Sequence, residues 1–97
     1  MNSARTPLFY MANLGAEVAR LSAARKRSID DAKAALSRCL NIIDEYERVE
    51  KSRGGIEEAE TLRRVLSDFV KKKRQYSVDA EQLEAYFMPF ALRLQRE

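Results

Sequence analysis

The densest charge in the sequence is the run Lys71-Lys72-Lys73-Arg74, with Tyr76 close behind it. Consecutive cations neutralise phosphates, and a nearby aromatic ring offers a base something to stack on. Arg63 and Arg64 extend the same set, so Arg63, Arg64, Lys71, Lys72, Lys73 and Arg74 are the candidate phosphate contacts. A simpler account competes with this one. Arg25-Lys26-Arg27 precedes Asp30-Asp31, and the 71–74 run precedes Asp79 and Glu81. Bases that finish one helix and acids that open the next complement the helix dipole and require no ligand.

Acid–base and metal chemistry find little to work with. Asp30/Asp31, Asp44/Glu45 and Glu57/Glu58 are paired carboxylates, but the chain has no His. A di-iron bundle needs inward Glu-x-x-His motifs, and Ser/His or Cys/His nucleophiles need the imidazole. The single Cys39 rules out an internal disulfide. It falls on an apolar seam, where a thiol packs as a small hydrophobe, and no activating partner is in view. No catalytic, cofactor or metal residue is assigned, and the protein is expected not to be an enzyme.

Two constellations suit binding better. Asn13, Glu17 and Arg20 follow one ridge of a helix. Glu17 can pair with Arg20 at i, i+3, and an antiparallel hairpin turning near residue 26 brings Arg38 within reach of Glu17. Arg64 and Asp68 are spaced to pair at i, i+4. Near the C-terminal end, Tyr86, Phe87, Met88 and Phe90 cover more than one face of a short helix. Phe87 and Phe90 read as core together with Leu83. Tyr86 and Met88 are left as candidate interface residues, facing a partner subunit or solvent.

Helices must position these groups. The chain has 97 residues, 45% apolar and 34% charged, with only 3 Gly and 2 Pro. That supports one small domain spanning 1–97 and argues against a turn-rich β fold. Thr6-Pro7 is a helix start, followed by the stripe Leu8, Met11, Gly15, Val18 and Ser22, widened by Leu14 and Leu21. Ser28 caps the next helix, with Asp31 in the place of a capping-box acid. Ile29, Ala32, Leu36, Cys39, Ile43 and Tyr46 then form a heptad seam, which Gly54-Gly55 terminate. The third helix starts at Ile56, buries Ala59, Leu62, Leu66 and Phe69, and ends in the basic run. Ser77 caps a fourth, with Leu83, Phe87, Phe90 and Leu94 on its stripe. Pro89 should kink or split it between Ala85 and Met88. The expected helices are about 7–25, 28–51, 56–74 and 78–95. Short connections make them an all-α, up-down-up-down four-helix bundle with a short, bent fourth helix.

The segment Met11-Ala12-Asn13-Leu14-Gly15-Ala16-Glu17-Val18-Ala19-Arg20 resembles the first helix of a group of small uncharacterised bacterial helical proteins, in which it reads M-A-N-L-G-x-E-V-x-R. Ile42-Ile43-Asp44, Leu62 to Phe69, and Tyr86-Phe87 with Phe90-Ala91 are similar to later segments of that group. The resemblance implies a bacterial cytoplasmic protein and marks Asn13, Glu17 and Arg20. It carries no activity, and Pro89 and the 71–74 run have no counterpart in it. A looser likeness is to the helical-bundle RNases of toxin–antitoxin systems. Their R-x-x-x-x-H motif needs a His that this chain lacks.

The net charge of +3 is mild support for nucleic acid as a partner. No apolar run reaches the length of a membrane span. The expectation is therefore a cytoplasmic, non-catalytic binding or scaffolding protein that self-associates as a homodimer. The alternative is a non-enzymatic RNA- or ribosome-associated protein using its basic helix ends. No cofactor and no membrane partner are expected.

Overall fold

The computed structural model describes residues 5–71 and 76–96. It is the expected all-α bundle, with α1 Pro7–Arg27, α2 Ile29–Val49, α3 Arg53–Phe69 and α4 Ala80–Gln95. Cross-helix pairs fix the alternating sense. Glu17 meets Arg38 while Arg27 meets Asp31. Arg63 meets Asp44 while Tyr46 meets Glu58. Tyr76 meets Asp68 while Tyr86 meets Glu58.

The helix ends follow local hydrogen-bond supply. Thr6 Oγ1 accepts from the Phe9 N–H at 3.1 Å, and Pro7 holds the first helical position, as the sequence suggests. Ser28 alone joins α1 to α2. Its N–H closes α1 on the Ala24 carbonyl at 3.0 Å, and its Oγ opens α2 by accepting from the Asp31 N–H at 3.0 Å. Because the Ser28 N–H is taken by Ala24, the expected capping box does not close. The Asp31 carboxylate accepts from Arg27 Nε instead, at 3.4 Å.

Three expected boundaries move. Gly54 and Gly55 do not terminate α2; they lie in the first turn of α3 with no positive φ. The break is made by extended backbone at Glu50 and Ser52, and Ser52 Oγ caps α3 by accepting from the Gly55 N–H at 3.0 Å. At the far end α3 stops at Phe69, where the Lys71 N–H turns back onto the Asp68 carbonyl at 3.0 Å. Lys71 therefore follows the helix and does not finish it; Lys72, Lys73 and Arg74 lie outside the described residues. The cap of α4 is Asp79, not Ser77. Asp79 Oδ1 accepts from the Gln82 N–H at 2.8 Å and Gln82 Oε1 accepts from the Asp79 N–H at 2.9 Å, a complete capping box.

Helix α4 continues through Pro89, so of the kink or split expected there the split is absent. The ring removes the donor that the Ala85 carbonyl would have used. Ala85 and Pro89 are both exposed, so the freed carbonyl is open to solvent and not stranded in the core.

One core joins all four helices. On α1 the buried line is Met11, Leu14, Val18, Leu21 and Ala24. The heptad thus runs through Leu14 and Leu21, while Gly15 and Ser22 turn toward α4. On α2 Ala35 is buried where the seam expected Leu36, which is only half-buried, and Ile29 drops out of the seam at 52% exposed. Helix α1 packs closely against both α2 and α4, with α3 resting more loosely on α2. Small residues permit the close approaches. Ala24, Ala32 and Ala35 are buried among α1 and α2, and Gly15 lies under Phe87. Leu83 and Phe87 accordingly seal α4 onto α1, and α4 reaches α3 through the Tyr86 side chain.

Candidate binding surface

Glu17 is the centre of the polar ridge. Its carboxylate accepts from Arg20 NH1 at 2.8 Å and from Arg38 Nε at 3.0 Å, which is the pairing across the hairpin that the sequence predicts. Asn13 sits exposed a turn earlier and is not joined to this network. Arg20, Arg38 and Arg27 line a cleft of about 370 Å³ between α1 and α2, but Glu17 holds the first two and Asp31 the third. The cluster ties α1 to α2.

Arg63 is held in the same way. It donates to Asp44 at 2.6 Å, to Glu60 at 3.3 Å and to Glu47. Burial pulls the guanidinium down, but the bonds to Glu47 and Asp44 outweigh it and hold Arg63 above its ordinary range. A cation already shared among carboxylates has little left for a phosphate. The Arg64–Asp68 pair is not formed. Arg64 points outward and reaches Thr61 Oγ1 at 3.4 Å. Asp68 is turned inward, only 4% exposed, and accepts from the Tyr76 N–H at 3.0 Å. Exposed Arg64 and Lys71 share a shallow cleft with Tyr76, Glu60 and Asp68.

A tyrosine–carboxylate cluster closes the other end of α3. The buried Tyr46 hydroxyl lies 3.1 Å from Glu50 Oε2 and 3.5 Å from Glu58 Oε1, and the Tyr86 hydroxyl donates to the second Glu58 oxygen. Burial raises the Tyr46 phenol, and the bond to Glu50 raises it further. Burial also raises Glu58, whereas the Ser52 N–H lowers Glu50. The sequence analysis read Tyr46 only as a seam residue and missed this cluster; the i, i+4 spacing of Tyr46 and Glu50 is the one signal that could have pointed to it, and the Glu58 and Tyr86 contributions had none.

Cys39 is fully buried, and burial above all, then the Glu17 charge, pushes its thiol up to about 12. It packs in the core as a small apolar residue. Among the described residues no group of three or more Cys, Asp or Glu side chains converges as metal ligands.

The remaining feature is apolar. A groove of about 380 Å³ runs between α1 and α4, with Ala12, Gly15 and Ala19 on one wall and Phe87, Met88 and Ala91 on the other. Of the two candidate interface residues, Tyr86 is 37% exposed with its hydroxyl committed to Glu58, and Met88 is 48% exposed on the rim of the groove. Leu92, one turn beyond Met88, is 47% exposed and was not among the sequence candidates. Met88 and Leu92 form an apolar edge on the outer side of α4, where a binding contact can bury them. No family model, curated protein or solved structure matches the chain.

Proposed function

We propose that this is a non-catalytic binding or scaffolding protein whose working surface is the outer side of α4 with the adjoining α1 groove. The observation that carries the reading is the juxtaposition of exposed Met88 and Leu92 with an open apolar groove. Solvated methionine and leucine beside a groove gain free energy when a partner covers them. The polar clusters support the reading from the other side, because their charges are spent within the bundle. The protein acts by contact, in the cytoplasm, and is bacterial in origin as the first-helix resemblance implies. Among the described residues no helix is long and apolar enough to cross a membrane.

The test is a tagged capture from the native host, with and without nuclease, comparing wild type with Met88→Glu. The expected result is a set of proteins that survives nuclease and is lost with Met88→Glu. Recovery of RNA alone, with steep loss between low and moderate salt, would transfer the function to the basic segment. Capture indifferent to Met88→Glu would remove α4 as the working surface.

A further inference from the structure

We infer that the occupant of the exposed α4 face is a second copy of this chain, its α4 laid antiparallel on the first about a two-fold axis between Met88 and Pro89. The inference rests on the reading of this face as the working surface and names its partner. Glu81, Ala85, Met88, Leu92 and Arg96 recur at spacings of four and three and are all exposed. They form one stripe on the side of α4 away from the buried Leu83 and Phe87. The stripe is apolar in the middle, acidic at its N-terminal end and basic at its C-terminal end. Among the described residues neither Glu81 nor Arg96 has an ion-pair partner within the chain.

The charge order selects the direction of pairing. Glu81 and Arg96 are separated by about 22 Å along the helix, at 1.5 Å rise per residue. An antiparallel mate centred between Met88 and Pro89 puts Glu81 against Arg96 of the partner subunit, and Arg96 against Glu81 of the partner subunit. The same register sets Ala85 against Leu92 of the partner subunit, and Met88 against Pro89 of the partner subunit. A parallel mate would oppose like charges at both ends. The arrangement is isologous and closes as a dimer, so the stripe is consumed and no open chain of subunits forms. One helix face buries less than the roughly 800 Å² per partner of a standard interface. The dimer is therefore weak and concentration-dependent.

Sedimentation velocity and light scattering over a wide concentration range test this. Wild type is expected to rise from 11.2 kDa toward twice that mass. Glu81→Arg alone, or Arg96→Glu alone, turns two attractions into two repulsions and is expected to weaken the dimer roughly tenfold. The double variant Glu81→Arg/Arg96→Glu restores it to within about threefold of wild type, because the pairs reform reversed. All these side chains are exposed, and far-UV circular dichroism checks that each variant folds. Failure of the double variant to recover would overturn the register. A wild type that stays monomeric at every concentration would overturn self-pairing; if Met88→Glu still abolished capture of other proteins, the binding surface itself would stand.

Discussion

Gly15 offers the sharpest test of how α4 sits, because two effects of opposite sign meet there. In a helix interior Ala is about 1 kcal/mol better than Gly, so Gly15→Ala should stabilise α1 taken alone. In the bundle, a methyl at Gly15 would stand 2.7 Å from Phe87 Cβ and 3.1 Å from Phe87 Cγ. Ordinary carbon contacts are about 3.5–4.0 Å. Phe87 Cβ is fixed to the α4 backbone, so the helix must lift by the better part of an ångström, loosening Phe87 and Leu83 together. Overpacking of this kind costs about 1–3 kcal/mol. The net change is thus from about zero to 2 kcal/mol of destabilisation. Gly54 is the control. It is also helical, has no positive φ, and a methyl there meets nothing within 4 Å. Gly54→Ala should stabilise by about 0.4–1 kcal/mol. Urea unfolding followed by circular dichroism measures both, and in a domain of this size 1 kcal/mol moves the melting temperature by about 4–8 °C. The decisive quantity is the sign. Should Gly15→Ala stabilise as much as Gly54→Ala, α4 does not pack on α1 at Phe87, and the groove and the α4 face built on that contact go with it.

Phe87→Ala should cost about 3–5 kcal/mol in the same unfolding experiment, and Phe90→Ala, at a half-buried site, clearly less; equal losses would mean that α4 is rotated about its axis. Cys39 should resist a thiol reagent in the native protein and react at once when denatured. The folded thiol titrates near 12 and the unfolded one near 9, so above pH 9 the unfolded chain loses the proton first and stability falls as pH rises toward 12, by up to about 1.4 kcal/mol per pH unit. Cys39→Ala should remove the part of that fall that begins near pH 9 and leave the part that Tyr46, raised in the same sense, adds above about pH 10; an unchanged profile would place the thiol outside the core. Arg63→Ala should destabilise by about 1–3 kcal/mol, since it strands Glu47 beside Asp44 and Glu60, whereas Arg64→Ala should stay within about 0.5 kcal/mol; the reverse order would return Arg63 to the surface as a free cation. A double-mutant cycle on Glu17 and Arg38 should give a coupling of about 0.2–1 kcal/mol that falls with added salt, and zero coupling would mean that the pair does not help tie α1 to α2.

Helix number, order and most of the core were legible in the residues themselves. Ala59, Leu62, Leu66 and Phe69 of α3, and Leu83 and Phe87 of α4, are buried as their spacing requires. The Thr6 and Ser28 caps and the Glu17–Arg38 pair were equally readable. All of these depend on interactions within a few turns or across one tight hairpin, where sequence separation and spatial separation are nearly the same thing. Errors arose where two local signals competed. Gly54-Gly55 outshouted the Ser52 cap just before it, and Ser77 stood in front of Asp79, whose partner Gln82 completes a box that Ser77 lacks.

What the sequence determined by itself was therefore the set of four amphipathic helices and a chain without histidine. Periodicity and composition carry that information one helix at a time. Only the tertiary structure decided which charges are spent. Arg63 meets Asp44 and Glu47 across the α2–α3 pair, and Tyr86 meets Glu58 across α3–α4. It also decided that Gly15 faces Phe87, and hence that Met88 and Leu92 are left outside. Those outcomes follow from the rotation of each helix about its own axis and the distance to its neighbour. Both are set by how Ala, Gly and Phe volumes fill the shared interior, a property of pairs of helices that no single stretch of chain contains.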